Sequence, residues 1–359
     1  MLSEESDGAI AGHPRSPERQ LAGCVATPVP GKYFRAMSFR GGIDLGGTKI
    51  QAAVVDNAGE VVGKARHPTP TAGGPPDVAA AIAGALREAA EEAGVATSDL
   101  SGIGVGSPGK VDNDAGTVTG AKNLPGWGAS FDLRSALEES CGAPVALGND
   151  VQVATDAEFE LGAGRLYRSL LGVFWGTGVG GGIVLDGKPW LGRDAAGEIG
   201  HMVVKIGGAP CPCGRLGCME AYAGRLAMEL RARKEVERGE KTLLFKIMEE
   251  RGRARLTSGV WARALDRGDP LAHRLLDRAV RALGAGIASA LNLLDVEAVI
   301  IGGGLGLRLG QPYVDRIREA MMPHLFADER PPAVALASLG DLGGAIGASL
   351  LVRTPARTG

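Results

Sequence analysis

The chain has 359 residues, 45% of them apolar, with 39 Lys and Arg against 41 Asp and Glu for a net charge of -2. Such a chain can bury a substantial core as one large domain or two ordinary ones, and its charge balance gives no drive toward nucleic acid or anionic membrane, so neither partner is expected. Export is not expected either, since five cysteines are too few for a disulfide scaffold and no secretory pattern opens the chain; the expected setting is the cytoplasm and the expected partner a small molecule.

Residues 1–38 are rich in Pro, Gly, Ser and charge without apolar periodicity, and read as a disordered extension. Their prolines also deny them the two amphipathic helices of a helix-turn-helix. The segment "GGIDLGGTKIQAAVVDNAGEVV" (41–62) then reads as a strand, a glycine turn and a second strand ending at Asp56-Asn57, followed by a third short strand. Sliding 130 residues places "GVFWGTGVGGGIVLDGKPW" (172–190) on it without gaps, with Gly42 over Gly172, Gly46 over Gly176, Val54 over Val184 and Asp56 over Asp186. The shared apolar pattern and turn position make duplication the preferred reading.

Each meander is followed by helix and strand signals. "PPDVAAAIAGALREAAEEAG" (75–94) is a helix with Pro at its start and Gly at its end, "LSGIGVGSPG" (100–109) a buried strand, and "APVALGND" (143–150) a strand opening onto a helix at 151–162. Helices at 221–233, 241–250, 257–265 and 270–293 precede the strand in "VEAVIIGGGLG" (296–306). A strand at 333–337 leads to a Gly/Ala-rich helix at 343–352. The expected fold is α/β in two lobes with a cleft between them: 39–149, joined by the helix 343–352, and 150–342. Trp175 and Trp190 flank the second hairpin and read as core aromatics, while "RARKEVERGEK" (231–241) reads as a solvated helix end and loop.

Three glycine segments carry chemistry. "DLGGTK" (44–49) offers unobstructed backbone N–H groups plus the Thr48 hydroxyl and the Lys49 cation, which is how protein cradles phosphate, although an ordinary hairpin turn also favours glycine. "GTGVGGG" (176–182) is the second copy, and so many glycines weaken a sheet unless something must approach the backbone closely. "IIGGGLG" (300–306) follows a buried strand and precedes a helix, where an open α/β sheet places a nucleotide. None has P-loop spacing. Together they favour ATP in a cleft.

"CPCGRLGC" (211–218) holds Cys211, Cys213 and Cys218, with His201 upstream. Three sulfurs leave an odd thiol in any closed disulfide set, Cys24 and Cys141 sit in unrelated segments, and C-x-C is tighter than the redox C-x-x-C spacing. Three thiolates and an imidazole satisfy a tetrahedral zinc, with Gly214 and Gly217 letting the backbone wrap a small ion. Structural zinc is the preferred reading over a reactive thiol pair or buried free cysteines.

This constellation resembles the sugar kinases of the ROK family, within the actin-like and hexokinase-like (ribonuclease H-like) ATPases, over roughly residues 39–352. The resemblance rests on "DLGGTK", "GTGVGGG", the "GGG" at 302–304 and "GEIGHMVVKIGGAPCPCGRLGCME" (197–220). It implies a duplicated two-lobe fold; donor-nucleotide contacts from Asp44, Gly46, Gly47, Thr48, Lys49, Gly176, Thr177, Gly178, Gly302, Gly303 and Gly304; and zinc ligands at His201, Cys211, Cys213 and Cys218. On the sugar side it implies Asn149 and Asp150 at the acceptor hydroxyl, with Asp150 as the base. An Asp at a helix start is also a common N-cap, and there it is expected to stay ionised at neutral pH. Asn123 in "KNLPGW" (122–127), otherwise a plain Pro-Gly turn, and Glu198, His201 and Glu220 are implied as further hydroxyl ligands. Magnesium accompanies ATP, with Asp44 the carboxylate placed to hold the hydrated ion. The expected activity is ATP-dependent phosphorylation of glucose at its 6-hydroxyl by a homo-oligomer, dimer or tetramer. The alternatives are a kinase for N-acetylglucosamine, N-acetylmannosamine, mannose or fructose, polyphosphate as donor, and a sugar-sensing repressor, for which the N-terminal extension is too short and too rich in proline.

Overall fold

The computed structural model describes residues 38–121 and 123–352, so the expected N-terminal extension, apart from Ser38, lies outside the described residues, as does Lys122. The first half runs β1 (Arg40–Leu45), β2 (Lys49–Val55), β3 (Val61–Pro68), α1 (Pro75–Glu92), β4 (Ile103–Ser107), the small strands β5 (Lys110–Asp112), β6 (Thr117–Thr119) and β7 (Phe131–Asp132), then α2 (Leu133–Cys141), β8 (Val145–Asn149) and α3 (Asp150–Glu160). The second runs β9 (Leu170–Trp175), β10 (Val179–Leu185), β11 (Lys188–Pro189), α4 (Glu220–Ala223), α5 (Arg225–Glu237), α6 (Leu244–Glu250), α7 (Ser258–Asp266), α8 (Pro270–Leu294), β12 (Ala298–Gly302), α9 (Gly303–Leu309), α10 (Gln311–Met321), β13 (Ala333–Leu336) and α11 (Gly343–Leu350).

Local chemistry explains the long helices. Pro75 opens α1, Val78, Ile82 and Leu86 with their alanine neighbours form its buried face, and Gly94 ends it at φ 73° while Val95 N–H donates to Ala90 O. Asp269 caps α8 by accepting from Ala272 N–H at 2.7 Å, ahead of Pro270 at the first helical position.

Two five-stranded sheets share one topology. The first has the order β3-β2-β1-β4-β8 and the second β11-β10-β9-β12-β13, with an antiparallel meander on one side and two parallel strands on the other. The ungapped alignment of the halves needs one adjustment. Leu45 pairs with Ile50, leaving 46–49 in the turn, whereas Trp175 pairs with Val179, leaving only 176–178. Val54 therefore faces Gly41, while Val184 faces Leu170 rather than Leu171.

The helix that closes each half packs mainly on the sheet of the other: α3 lies against β10 and β9, α11 lies against β1, β4 and β2, and the two helices pack on each other. Glycines in the strands make these crossings possible. A Cβ on Gly42 would sit 1.9 Å from Ala345 O, one on Gly104 1.7 Å from Ala348 O, and one on Gly172 or Gly182 within 2.3 Å of Thr155 Oγ1. The close approach foreseen for Gly180–Gly182 of the second glycine segment is thus made by this chain's own Val151, Ile199 and Thr155.

Polar links reinforce α3. Gln152 accepts from Ile183 N–H at 3.0 Å and donates back to Ile183 O at 3.3 Å. Buried Glu158 accepts from Ala163 N–H, Ser338 N–H and Leu339 N–H, which ties α3 to the segment after β13. Trp175 is fully buried, its indole N–H donating to Ala223 O at 2.7 Å. Trp190, expected in the core, is 45% exposed, because it follows the two-residue edge strand β11, both of whose residues are exposed.

Candidate functional site

Asp44 lies near the end of β1, and Gly46 to Lys49 form the turn into β2. The turn is braced from outside: Thr69 Oγ1 donates to Gly46 O at 2.6 Å and Thr69 N–H to Thr48 O at 3.3 Å. Thr48 stands exposed at the tip, while the Lys49 ammonium is held by Gln51 and, at 3.6 Å, by Asp341. Asn123 rests against this turn, since a Cβ on Gly47 would lie 3.0 Å from its side-chain nitrogen.

Because β1, β4 and β8 are adjacent parallel strands, the end of β1 and the start of α3 come together. Asn149 caps α3, its Oδ1 accepting from Val151 and Gln152 N–H at 3.1 Å each. That fixes the amide orientation and leaves Nδ2 to donate outward. Asp150 is therefore the first helical residue rather than the cap, with Oδ1 accepting from Val151 N–H at 3.0 Å. Burial first, and then the Asp44 carboxylate, push its pKa up to about 7, against the helix N–H groups that favour charge. The expectation of a fully ionised carboxylate is corrected accordingly. Asp44 is also raised, by burial.

Around the second turn, Gly176 and Gly304 adjoin, with 3.8 Å between a Cβ placed on Gly176 and Gly304 N. Gly303 (φ 79°) backs directly onto the Trp175 backbone and Gly302 onto the Phe174 ring, so only glycine fits either place. Thr177 and Gly304 are exposed at the tips. Gly178 abuts Glu220, whose carboxylate accepts from Val179 N–H at 2.9 Å.

The ligand atoms of His201, Cys211, Cys213 and Cys218 all lie within 4.8 Å of one another. Cys213 and Cys218 sulfurs are 3.7 Å apart, and Cys211 Sγ is 3.8 Å from His201 Nδ1. These separations suit four ligands around one tetrahedral ion, and three sulfurs with one imidazole are the donor set that zinc prefers. Burial pushes the Cys211 thiol up to about 12, and a cation among the sulfurs would hold them all as thiolates. With Nδ1 turned to the cluster, His201 Nε2 faces Glu198 Oε2 at 3.8 Å. The fold thus gathers the predicted residues into three neighbouring groups: Asp44 to Lys49 with Asn123, Asn149 and Asp150; Gly176 to Gly178 with Gly302 to Gly304; and the Cys/His cluster flanked by Glu198 and Glu220.

The ROK family model matches residues 40–355, nearly the whole described chain. The chain belongs to the ROK family. This ROK protein is 36% identical over 317 residues to a glucokinase of Halalkalibacterium halodurans, covering 87% of this chain and 94% of that one. It is 32% identical over 322 residues to an N-acetylgalactosamine kinase of a Shewanella species, covering 86% and 95%. A ROK glucokinase of Streptomyces griseus, solved with glucose and AMPPNP, superposes with a TM-score of 0.74 at 32% identity, covering 88% of this chain and 99% of that one. The ROK protein accordingly has the duplicated actin-like, hexokinase-like fold.

Three residues of the site escape sequence reasoning. Thr69 and Asp341 brace the first turn from distant segments. Arg225 lies beneath the second turn, donating through Nη2 to Thr177 Oγ1 at 2.8 Å. The only local signal is a basic residue at the first position of a helix, where the dipole disfavours it.

Proposed function

We propose that this ROK-family sugar kinase transfers the γ-phosphoryl group of MgATP to the 6-hydroxyl of glucose, giving glucose 6-phosphate and ADP. One observation carries the reading. A half-buried carboxyl with a pKa of about 7, Asp150, stands at the start of a helix beside the Asn149 amide and opposite a phosphate-type glycine turn. A base poised near the working pH accepts a proton at the smallest combined cost of protonation state and driving force.

The Asn149 amide and Asp150 carboxylate orient the acceptor hydroxyl. Its oxygen bonds to the γ-phosphorus as the bond to the β–γ bridging oxygen breaks, and its proton passes to Asp150. Backbone N–H groups at Gly47–Thr48 and Thr177–Gly178 hold the donor's phosphates, those of Gly46 and Gly176 being bonded within their turns to Lys49 O and Gly178 O. Asp44 and Asp150 bring two half-buried carboxyls together, an arrangement that a divalent cation at Asp44 would relieve. Magnesium bound there supplies charge neutralisation of the triphosphate. Asn123, Glu198, His201 and Glu220 would match the remaining sugar hydroxyls, and zinc at the Cys/His cluster would fix the His201 ring that takes part.

Among acceptors, the glucokinase relatives favour glucose, whereas the N-acetylgalactosamine kinase relative supports an amino sugar as the second reading. No helix among the described residues is long and apolar enough to cross a membrane. ADP release measured with MgATP and a panel of glucose, mannose, fructose and N-acetylated hexosamines should rank glucose first. Phosphorylation of an N-acetylated sugar alone would overturn the glucose assignment, and turnover with polyphosphate but not ATP would overturn the donor.

A further inference from the structure

Arg225 is the first residue of α5, a position where the helix dipole opposes a cation. Among the described residues no carboxylate pairs with it directly, although Glu229 favours its charge from a distance and Arg255 opposes it. Glu229, one turn along, has its Oε1 bonded to Arg233 at 2.7 Å and its Oε2 accepting from Leu256 N–H at 2.9 Å. The Arg225 guanidinium instead donates to two neutral oxygens, Leu256 O at 3.0 Å through Nη1 and Thr177 Oγ1 at 2.8 Å through Nη2, while its buried Nε has no partner. The backbone beside it serves the same turn: Arg225 N–H donates to Gly176 O at 3.1 Å and Leu226 N–H to Thr177 O at 3.0 Å. The N-terminus of α5 is thus docked against the Gly176 and Thr177 carbonyls of the second glycine turn.

A guanidinium only donates, so the Thr177 oxygen it contacts must act as acceptor. The hydroxyl hydrogen is then left to point elsewhere, from an exposed side chain at the tip of the turn. A hydroxyl that accepts from a cation is also the better donor, because chains of hydrogen bonds polarise one another. Through Leu256 the same guanidinium grips the segment leading to Ser258, which lies 3.8 Å from a Cβ built on Gly304.

We infer that Arg225 is a positioning residue for the donor nucleotide: it holds Thr177 as a hydrogen-bond donor to a phosphate oxygen and supplies the second glycine turn with an otherwise unpaired positive charge. Arg225 itself need not touch the nucleotide. The inference rests on the ATP-dependent reading of the site, but it can be tested without turnover.

Calorimetric titration with MgAMPPNP, and separately with glucose, on wild type, Arg225→Ala, Arg225→Lys, Thr177→Val and the Arg225→Ala/Thr177→Val double variant separates the outcomes. Loss of a hydrogen bond to a charged group predicts that Arg225→Ala weakens MgAMPPNP about tenfold or more. Glucose affinity should stay within about twofold, and Lys, able to serve one acceptor but not both, should fall between. The double variant should bind MgAMPPNP no more than about twofold more weakly than Arg225→Ala, since both changes remove one interaction. Equal weakening toward both ligands, no weakening toward MgAMPPNP, or additive losses would each overturn the role. If Arg225→Ala does not fold, Thr177→Val against Thr177→Ser carries the test: the serine variant keeps nucleotide affinity and the valine variant loses it, and equal binding by the two overturns the inference. A chain that binds MgAMPPNP in this pattern yet does not phosphorylate glucose would sink the glucose assignment and leave Arg225 in place.

Discussion

Replacing Asp150 with Asn tests the central carboxylate through two readouts that move in opposite directions. Asparagine keeps the shape of the protonated acid and removes the proton acceptor, so turnover should fall at least about a hundredfold, the lower end of what a general base contributes. Stability should respond the other way. Moving a carboxyl from its ordinary 3.8 to about 7 disfavours ionisation in the folded chain by on the order of 4 kcal/mol. The folded pKa is raised, so between these values the folded chain holds a proton that the unfolded chain has released. Stability is full below about pH 4, declines toward pH 7 and is level above it. Asparagine escapes that loss. In the nucleotide-free protein the variant should match wild type near pH 3.5 and melt several degrees higher at pH 8.5. Differential scanning calorimetry at the two pH values, with ADP release measured alongside, provides both readouts. A variant that retains turnover within about threefold of wild type would refute the base assignment. One that loses turnover without gaining melting temperature at pH 8.5 would refute the burial argument for the shifted pKa.

The wild-type pH–rate profile should show kcat/KM rising with pH toward about 7 and then levelling, as ionised Asp150 becomes the major form; a flat profile from pH 5 to 8 counts against it. One zinc per chain should be found by metal analysis, and Cys213→Ser should lower both zinc content and glucose affinity while changing MgAMPPNP affinity less, because the cluster would fix the His201 ring for its proposed sugar contact; a zinc-free variant with normal glucose binding would leave the cluster a purely structural role. Gly104→Ala would place a methyl 1.7 Å from Ala348 O, so α11 must lift from β1 and β4, and we expect a loss of about 3 kcal/mol or more in chemical denaturation. Glu158→Ala strips three backbone N–H groups of their acceptor and should raise hydrogen exchange at Ser338 and Leu339 ahead of global unfolding; unchanged protection there would show that the carboxylate is dispensable.

Elements and motifs that depend on neighbouring residues were legible in the sequence. Pro75, Gly94 and the apolar period between them specify α1 because caps and amphipathic faces are local properties. The Cys/His cluster was legible for the same reason, since its members fall between His201 and Cys218 and glycines let so short a segment close on itself. The glycine turns stood out in composition, but their uses did not. Gly42, Gly104, Gly172 and Gly182 accommodate crossing helices from the opposite half of the chain, and no local pattern distinguishes such a glycine from one that faces a phosphate. Trp190 shows the same limit, because whether an edge strand is covered depends on what packs there. Asp150 shows it most clearly. Its helix-start position argues for a charged carboxylate, and that local effect is present in its bond from Val151 N–H. Burial and the Asp44 carboxyl, carried to it from the first strand by the parallel order of β1, β4 and β8, outweigh that local effect. Desolvation and charge–charge energies depend on distances through space, so only the tertiary structure could turn a capping-type aspartate into a carboxyl that titrates near neutral pH.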